Sequence, residues 1–290
     1  MLKIGLVLSG GMAKGAYQMG ALKAIKEFFY EDEIKAISSS SIGVINAFVF
    51  ETDSVDNGIS LWKNMMGGKK KIFITSVLKG EYLQESIRKL SSKSKKIAKP
   101  FFVTIFNSDE HELKYVDFSK EPESYYQKFL QASVALPVAN KAVELNGKHL
   151  FDGAMVDNIP VRPLSELDLD LIICLYFEDT NIIFENEKFD SKIIKISFTN
   201  DSLVRDSICF EQKKIERMID DGYSVTKENL DFYFSDGKEN TEKVKEKIRI
   251  KNAEKSERKH RITGDFAVRK FNKLLQSFIK VESGELRIES

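Results

Sequence analysis

Three short segments of the chain combine residue types suited to nucleophilic or anion-binding chemistry. The first, Leu8-Ser9-Gly10-Gly11-Met12-Ala13-Lys14-Gly15-Ala16-Tyr17, is a glycine loop leading into a helical pattern. At a helix N-terminus such a loop offers unpaired backbone N–H groups and the positive end of the helix dipole, which suits a phosphate or an oxyanion. Its spacing fits neither nucleotide pattern. The phosphate loop needs Gly-Lys followed by Ser or Thr, whereas Lys14 precedes Gly15, and the dinucleotide loop needs glycine where Met12 stands and an acid about 20 residues on. The second segment is Ser38-Ser39-Ser40-Ser41-Ile42-Gly43. A serine on a sharp strand-to-helix turn needs small residues two before and two after it, so Gly43 selects Ser41, with Ser39 in the place of the first glycine. The third is Phe151-Asp152-Gly153-Ala154, where an aspartate at a strand end can orient or deprotonate a serine on a neighbouring loop. Each has a plainer reading: glycines that only permit close packing, a serine that caps the next helix, and an Asp-Gly turn.

A serine nucleophile needs a base, and the chain has 3 histidines. His111 in DEHEL reads as an exposed turn between strands, and His260 lies in the basic run KSERKHR. His149 precedes Asp152 by an odd number of positions, so on one extended strand the two point to opposite faces. None is placed to serve Ser41, which leaves a two-residue Ser/Asp arrangement in place of a triad.

The elements that must position these segments alternate. Ile4 to Leu8 reads as a buried strand entering the glycine loop, Ala16 to Tyr30 as a helix, Ile34 to Ser38 as a second strand, and VINAFVF as a helix buried on all sides. KPFFVTIFN, HLFDGAM, LDLIICLYF and SKIIKISF supply further strands, while SYYQKFLQASVA and SICFEQKKIERMIDDGYSVTKENLDFYF read as helices. Strands alternating with helices predict a mainly parallel sheet covered on both faces, with ligands at the carboxyl ends of the strands, where both serine- and glycine-marked loops emerge.

Composition narrows the classes. The 290 residues are 42% hydrophobic and 11% aromatic, enough for a sizeable core, and 45 Lys+Arg against 44 Asp+Glu gives a formal charge of +1, with no global pull toward nucleic acid. Cys174 and Cys209 are the only cysteines, which excludes a disulfide framework and fits a reducing interior. The apolar run from Leu2 to Leu8 is too short for a signal peptide, and no stretch approaches the roughly 18 apolar residues of a membrane span, so a mature, cytoplasmic chain beginning at Met1 is expected. The composition shifts late: Lys238 to Arg261 holds 10 Lys/Arg and 5 Glu, a local net of +5 (10 minus 5), which predicts a solvated helix or a mobile connector. Asp265 to Val281 then forms an apolar stripe of Phe266, Val268, Phe271, Leu274, Leu275 and Phe278 between basic residues. Docking of that stripe on the main domain is preferred over a membrane-surface helix, because most amphipathic helices cover their own core.

Taken together, SGGMAKGAYQMGAL, SSSIGVINA and DGAMVDNIP, in that order, resemble the patatin-like phospholipases, whose motifs are a glycine-rich oxyanion loop, a G-x-S-x-G elbow and Asp-Gly-Gly/Ala. QASVALPV is similar to the family's helix and Ser-x-x-x-Pro turn, and IDDGYSVTKENL to its late Gly-Tyr helix, so the resemblance covers about Lys3 to Leu230. It implies a three-layer α/β/α sandwich around a mainly parallel sheet, with a catalytic domain over residues 1–236, core motifs within 4–165, and a charged, partly helical extension over 237–290. It also implies hydrolysis of phospholipid or other lipid esters by a Ser-Asp dyad without histidine, cofactor or metal. Ser41 is then the nucleophile and Asp152 the general base, with backbone N–H groups around Gly10, Gly11 and Met12 holding the oxyanion. Lys14 is a phosphate-binding or loop-fixing charge beside Gly15, while Ser39, Gly43, Gly153 and Ala154 support the elbow and the third motif. The implied partner is a lipid ester, met by peripheral contact with a membrane surface, and no nucleic acid. Two departures stand out. Met12 replaces the third loop glycine, at a cost of roughly 1–2 kcal/mol if its φ is positive, and Ser39 replaces the first elbow glycine. They motivate a competing expectation, a catalytically silent member of the fold that binds lipid or a protein partner.

Overall fold

The computed structural model describes residues 1–64, 71–73, 81–93, 96–137, 139–177, 182–184, 186–198, 209–254 and 259–260. In chain order the elements are β1 (Ile4–Leu8), a 3₁₀ turn (Met12–Lys14), α1 (Gly15–Phe28), β2 (Ile34–Ser39), α2 (Ile42–Thr52), α3 (Val55–Asn64), β3 (Lys71–Phe73) and α4 (Glu81–Lys93). There follow β4 (Phe101–Asn107), β5 (Glu112–Asp117), α5 (Glu123–Ala132), β6 (Val143–Leu145), β7 (Lys148–Asp152), a 3₁₀ turn (Gly153–Met155), α6 (Arg162–Ser165) and β8 (Leu171–Tyr176). The remainder is β9 (Ile182–Ile183), α7 (Glu187–Asp190), β10 (Ile193–Ser197), β11 (Cys209–Glu211), α8 (Gln212–Tyr233), α9 (Thr241–Glu254) and β12 (Lys259–His260).

The main sheet has the order β10-β8-β1-β2-β4-β7-β6, with β5 on the free side of β4. Its centre is parallel: β1 pairs with β2 and β8, β8 with β10, and β2 with β4. The central strands are short continuous apolar runs because both faces are covered, as in β1 (IGLVL) and β8 (LIICLY), buried at every position. Antiparallel pairs β4/β5, β4/β7 and β6/β7 close one end.

The two covering layers are unequal. On one face α1, α2, α3, α5 and α8 bury the larger core, which includes Leu6, Leu8, Leu22, Phe48, Trp62, Phe118 and Tyr126. On the other, α6 and the segments around it cover a smaller cluster of Val7, Ala36, Val161, Leu164, Ile172 and Cys174. The sandwich is therefore thick on one side and thin on the other. Helices α1 and α8 cross in backbone contact: a Cβ on Gly20 would lie 1.8 Å from the Ile219 carbonyl oxygen, and one on Gly222 would lie 2.0 Å from that of Tyr17. The Gly-Tyr pair of α8 thus serves packing, with the Tyr223 hydroxyl donating to Glu27 at 2.7 Å.

Two expectations change. Cys209–Glu211, expected at the start of a long helix, is a strand that pairs antiparallel with β3, and α8 begins after it. The basic segment expected as a solvated helix or connector contains α9, whose Val244 and Ile248 join the larger core. Its Asn252 donates to Asp190 at 3.0 Å, beside the buried Lys195–Asp190 ion pair. The amphipathic run from Asp265 to Val281 lies outside the described residues. Among the described residues no helix is long and apolar enough to cross a membrane.

Candidate active site

Strand register alone brings the second and third segments together. Phe102 and Val103 of β4 pair with β5 on one side and with Ser38 and Ser39 of β2 on the other; Ile105 and Phe106 pair with β5 and, on that same other side, with Asp152 and Phe151 of β7. Because β2 runs parallel to β4 and β7 antiparallel, their ends meet along one edge. Asp152 therefore stands opposite Ile105, about 7 Å along β4 from the partner of Ser39, just ahead of the turn that carries Ser41. Between those positions Thr104 donates its hydroxyl to Ser40 Oγ at 2.7 Å, and Ser40 Oγ donates to the Asp157 carbonyl at 3.2 Å. The elbow is thereby tied to the third segment by side chains that sequence reasoning did not single out.

Ser41 sits between β2 and α2 with φ 53° and ψ −132°. A side-chain-bearing residue there costs on the order of 1–3 kcal/mol and persists only where its surroundings impose it. The surroundings are tight: a Cβ at Gly43 would lie 2.7 Å from the Leu8 carbonyl oxygen, so α2 starts in backbone contact with the end of β1. Gly153 plays the same part for the third segment, since a Cβ there would lie 2.6 Å from the Thr104 carbonyl carbon. Ser39 is an ordinary strand residue, fully buried, and its Cβ fits without positive φ.

Asp152 is fully buried. Its N–H donates to the Ala135 carbonyl at 2.9 Å, which is what the turn after α5 contributes, and its Oδ1 accepts the Ala154 N–H at 2.9 Å. Oδ2 has no partner at hydrogen-bond geometry among the described residues. Burial pushes the carboxyl up to about 7; the neighbouring Ser41 hydroxyl and the Ala154 N–H pull it down by less. The Ser41 hydroxyl thus acts on the Asp152 carboxyl, although the two form no hydrogen bond.

The glycine loop faces this pair. The Gly10 N–H donates to the Asn158 carbonyl at 3.2 Å, and the Gly10 carbonyl accepts Asn158 Nδ2 at 3.3 Å. Gly10, expected among the oxyanion donors, is therefore engaged. In a trans peptide the C=O and the following N–H point opposite ways, so the Gly11 N–H faces away from the Asn158 amide. Gly11, Met12 and Ile42, the first residue of α2, donate their N–H groups to no described residue. Lys14 lies 5.1 Å from the centroid of Phe177, the ring against which Gly11 packs, and Gly15 opens α1.

Met12 has φ 50°, so the substitution for glycine does carry backbone strain. Met12→Gly and Met12→Ala lose the same side-chain packing and differ only in the Cβ at positive φ. The glycine variant is expected to be the more stable by about 1 kcal/mol in denaturant titrations; equal stabilities would show that the loop relaxes freely.

His149 and His111 make no contact with this pair. His149 donates its N–H to Asp109 Oδ2 at 2.7 Å and its ring meets Asp109 Oδ1 at 3.0 Å, while His111 lies on an exposed turn. His260 pairs through its backbone with Ile183, and its side chain lies outside the described residues.

An uncharacterized NTE family protein of Mycobacterium tuberculosis is 24% identical over 180 residues, 60% of this chain and 48% of that protein. Lysophospholipase NTE1 of Cryptococcus neoformans is 28% identical over 184 residues, 59% of this chain and 11% of that protein. The chain thus matches about half of the mycobacterial relative's length and about a tenth of the fungal one's. Among solved structures, VipD from Legionella pneumophila aligns over 80% of this chain and 67% of its own, with 14% identity and a TM-score of 0.46. The type III effector protein ExoU aligns over 79% and 53%, with 16% identity and a TM-score of 0.42. The model of the family described as patatin-like phospholipase matches residues 6–165, more than half of the chain and all three motif segments, and the chain belongs to that family.

Proposed function

We propose that this chain is a serine acyl-ester hydrolase of phospholipids or related lipid esters, working through a Ser41–Asp152 dyad. The observation that supports the reading is a fully buried aspartate next to a serine at a strained elbow: burial pushes the Asp152 carboxyl up to about 7, the Ser41 hydroxyl pulls it down by less, and Oδ2 keeps no hydrogen-bond partner among the described residues. In the first half-reaction Asp152 Oδ2 takes the Ser41 proton as Oγ bonds to the ester carbonyl carbon. The N–H groups of Gly11, Met12 and Ile42 hold the developing oxyanion. Collapse breaks the ester C–O bond, and the leaving alcohol takes the proton from Asp152. In the second half Asp152 deprotonates a water that attacks the acyl-enzyme, and Ser41 leaves with the proton. The lysophospholipase name of the fungal relative and the family's phospholipase description favour a lipid ester as substrate.

Labelling with a fluorophosphonate probe tests the reading. Wild type is expected to be labelled covalently and Ser41→Ala not at all, with parallel loss of hydrolysis of a fluorogenic lysophospholipid. Absence of Ser41-dependent labelling in folded protein would favour the silent, lipid-binding member of the fold.

A further inference from the structure

The buried polar groups on α1, α2 and α3 form a chain that ends on both sides of the glycine loop. Trp62 Nε1 of α3 donates to Asn46 Oδ1 of α2 at 2.8 Å. Asn46 Nδ2 donates at 2.9 Å both to the Gly15 carbonyl and to Gln18 Oε1 of α1. Gln18 Nε2 then donates to the Ser9 carbonyl at 2.7 Å. Gln18, Asn46 and Trp62 are buried to 1% exposure or less. Direction along the chain is set by chemistry: an indole N–H only donates, so Asn46 must present Oδ1 to it and Nδ2 to its other two partners. Gln18 must in turn accept with Oε1 and donate with Nε2, and the carbonyl of Ser9 is the acceptor that remains.

The two carbonyls at the ends of this chain bracket Gly10–Lys14. Ser9 is the last residue before the loop and Gly15 the first after it. Asn46 is carried by α2, whose N-terminus bears Ser41. The Gln18 contact fixes the plane of the Ser9–Gly10 peptide, and through it the direction of the Gly10 N–H toward Asn158. A polar group on an otherwise apolar helix face is costly unless satisfied, and here the two amides satisfy each other and the two backbone carbonyls that flank one loop. We infer that the Trp62–Asn46–Gln18 chain is a strut that sets the distance and angle between the oxyanion loop and the nucleophile's helix, with Gln18 as a positioning residue for acylation. The inference rests on the hydrolase reading for its catalytic consequence and on the hydrogen bonds alone for the clamp.

Gln18→Met keeps the length of the side chain and removes both amide contacts. Misplacing reacting groups by about 1 Å costs roughly 100-fold in rate, so kcat and the rate of fluorophosphonate labelling are expected to fall roughly 10- to 100-fold with KM changed less than about 3-fold. Backbone amide exchange in the peptide spanning residues 9–15 is expected to quicken at least about 10-fold, at temperatures where the variant stays folded by circular dichroism. Trp62→Phe, which keeps an aromatic ring but loses the outermost donor and part of the indole's packing, is expected to shift both readouts in the same direction by less, and it stands in if Gln18→Met does not fold. A purely structural role would lower the melting temperature and leave the labelling rate of folded protein unchanged; that result, or wild-type exchange over residues 9–15, overturns the strut. If wild type itself is not labelled at Ser41, the hydrolase reading fails and the exchange measurement decides the clamp by itself.

Discussion

Asp152→Asn is expected to lower kcat/KM for ester hydrolysis by roughly 10²–10⁴-fold, the range over which a positioned general base contributes. The substitution is close to isosteric. The amide oxygen can still accept the Ala154 N–H in the place of Oδ1, so the turn after β7 keeps its cap. What disappears is the acceptor at Oδ2, the group that must hold a full proton while Ser41 attacks. Oxyanion donors and the elbow are untouched, so slow labelling at Ser41 should persist where Ser41→Ala gives none. In wild type, log kcat/KM is expected to rise with pH up to about 7, where Asp152 becomes ionised, and to flatten above it. Hydrolysis by Asp152→Asn within about 10-fold of wild type would remove Asp152 from the role of base.

How much of this was legible in the sequence follows from the range of each interaction. Apolar runs such as IGLVL and LIICLY reveal buried strands because burial on both faces leaves no room for polar alternation. Gly43 and Gly153 point to Ser41 and Asp152 because close backbone approach leaves a local signature in small residues. The engagement of Gly10 by Asn158 had no such signature: the two are 148 positions apart, and their contact depends on where the third segment folds back. The roles of Gln18 and Asn46 were hidden differently. Each is a lone amide within an apolar helix, AYQMG and VINAFVF, a pattern that flags a buried polar group but names no partner. The basic composition around α9 fits the solvated helix expected there but does not reveal its narrow buried edge. Val244 and Ile248, four apart on one helical face, suffice to dock it, and a net charge of a segment does not register a stripe that narrow.

The same carboxyl that is expected to govern the rate should also govern how stability varies with pH, in the opposite direction. In the folded chain burial raises Asp152 to about 7 from an ordinary value of 3.8. Well below pH 3.8 the group is protonated in both folded and unfolded states and contributes no difference. Between pH 4 and 7 the folded form keeps a proton that the unfolded form releases, so stability declines as pH rises, and the decline is complete above the folded pKa. At 1.36 kcal/mol per unit the full loss is roughly 4 kcal/mol. Asparagine does not titrate, and the other groups titrate alike in both proteins, so the difference between variant and wild type isolates this one carboxyl. Asp152→Asn is accordingly expected to gain roughly 4 kcal/mol on wild type between pH 4 and pH 8, a relative rise in melting temperature on the order of 10 °C. Melting curves of the two proteins that stay parallel across that window would mean that the carboxyl is hydrated or paired, and a base so placed would be too weak to deprotonate Ser41. Activity that rises and stability that falls through the same pH interval is the signature of a base whose reactivity comes from its burial rather than from a histidine.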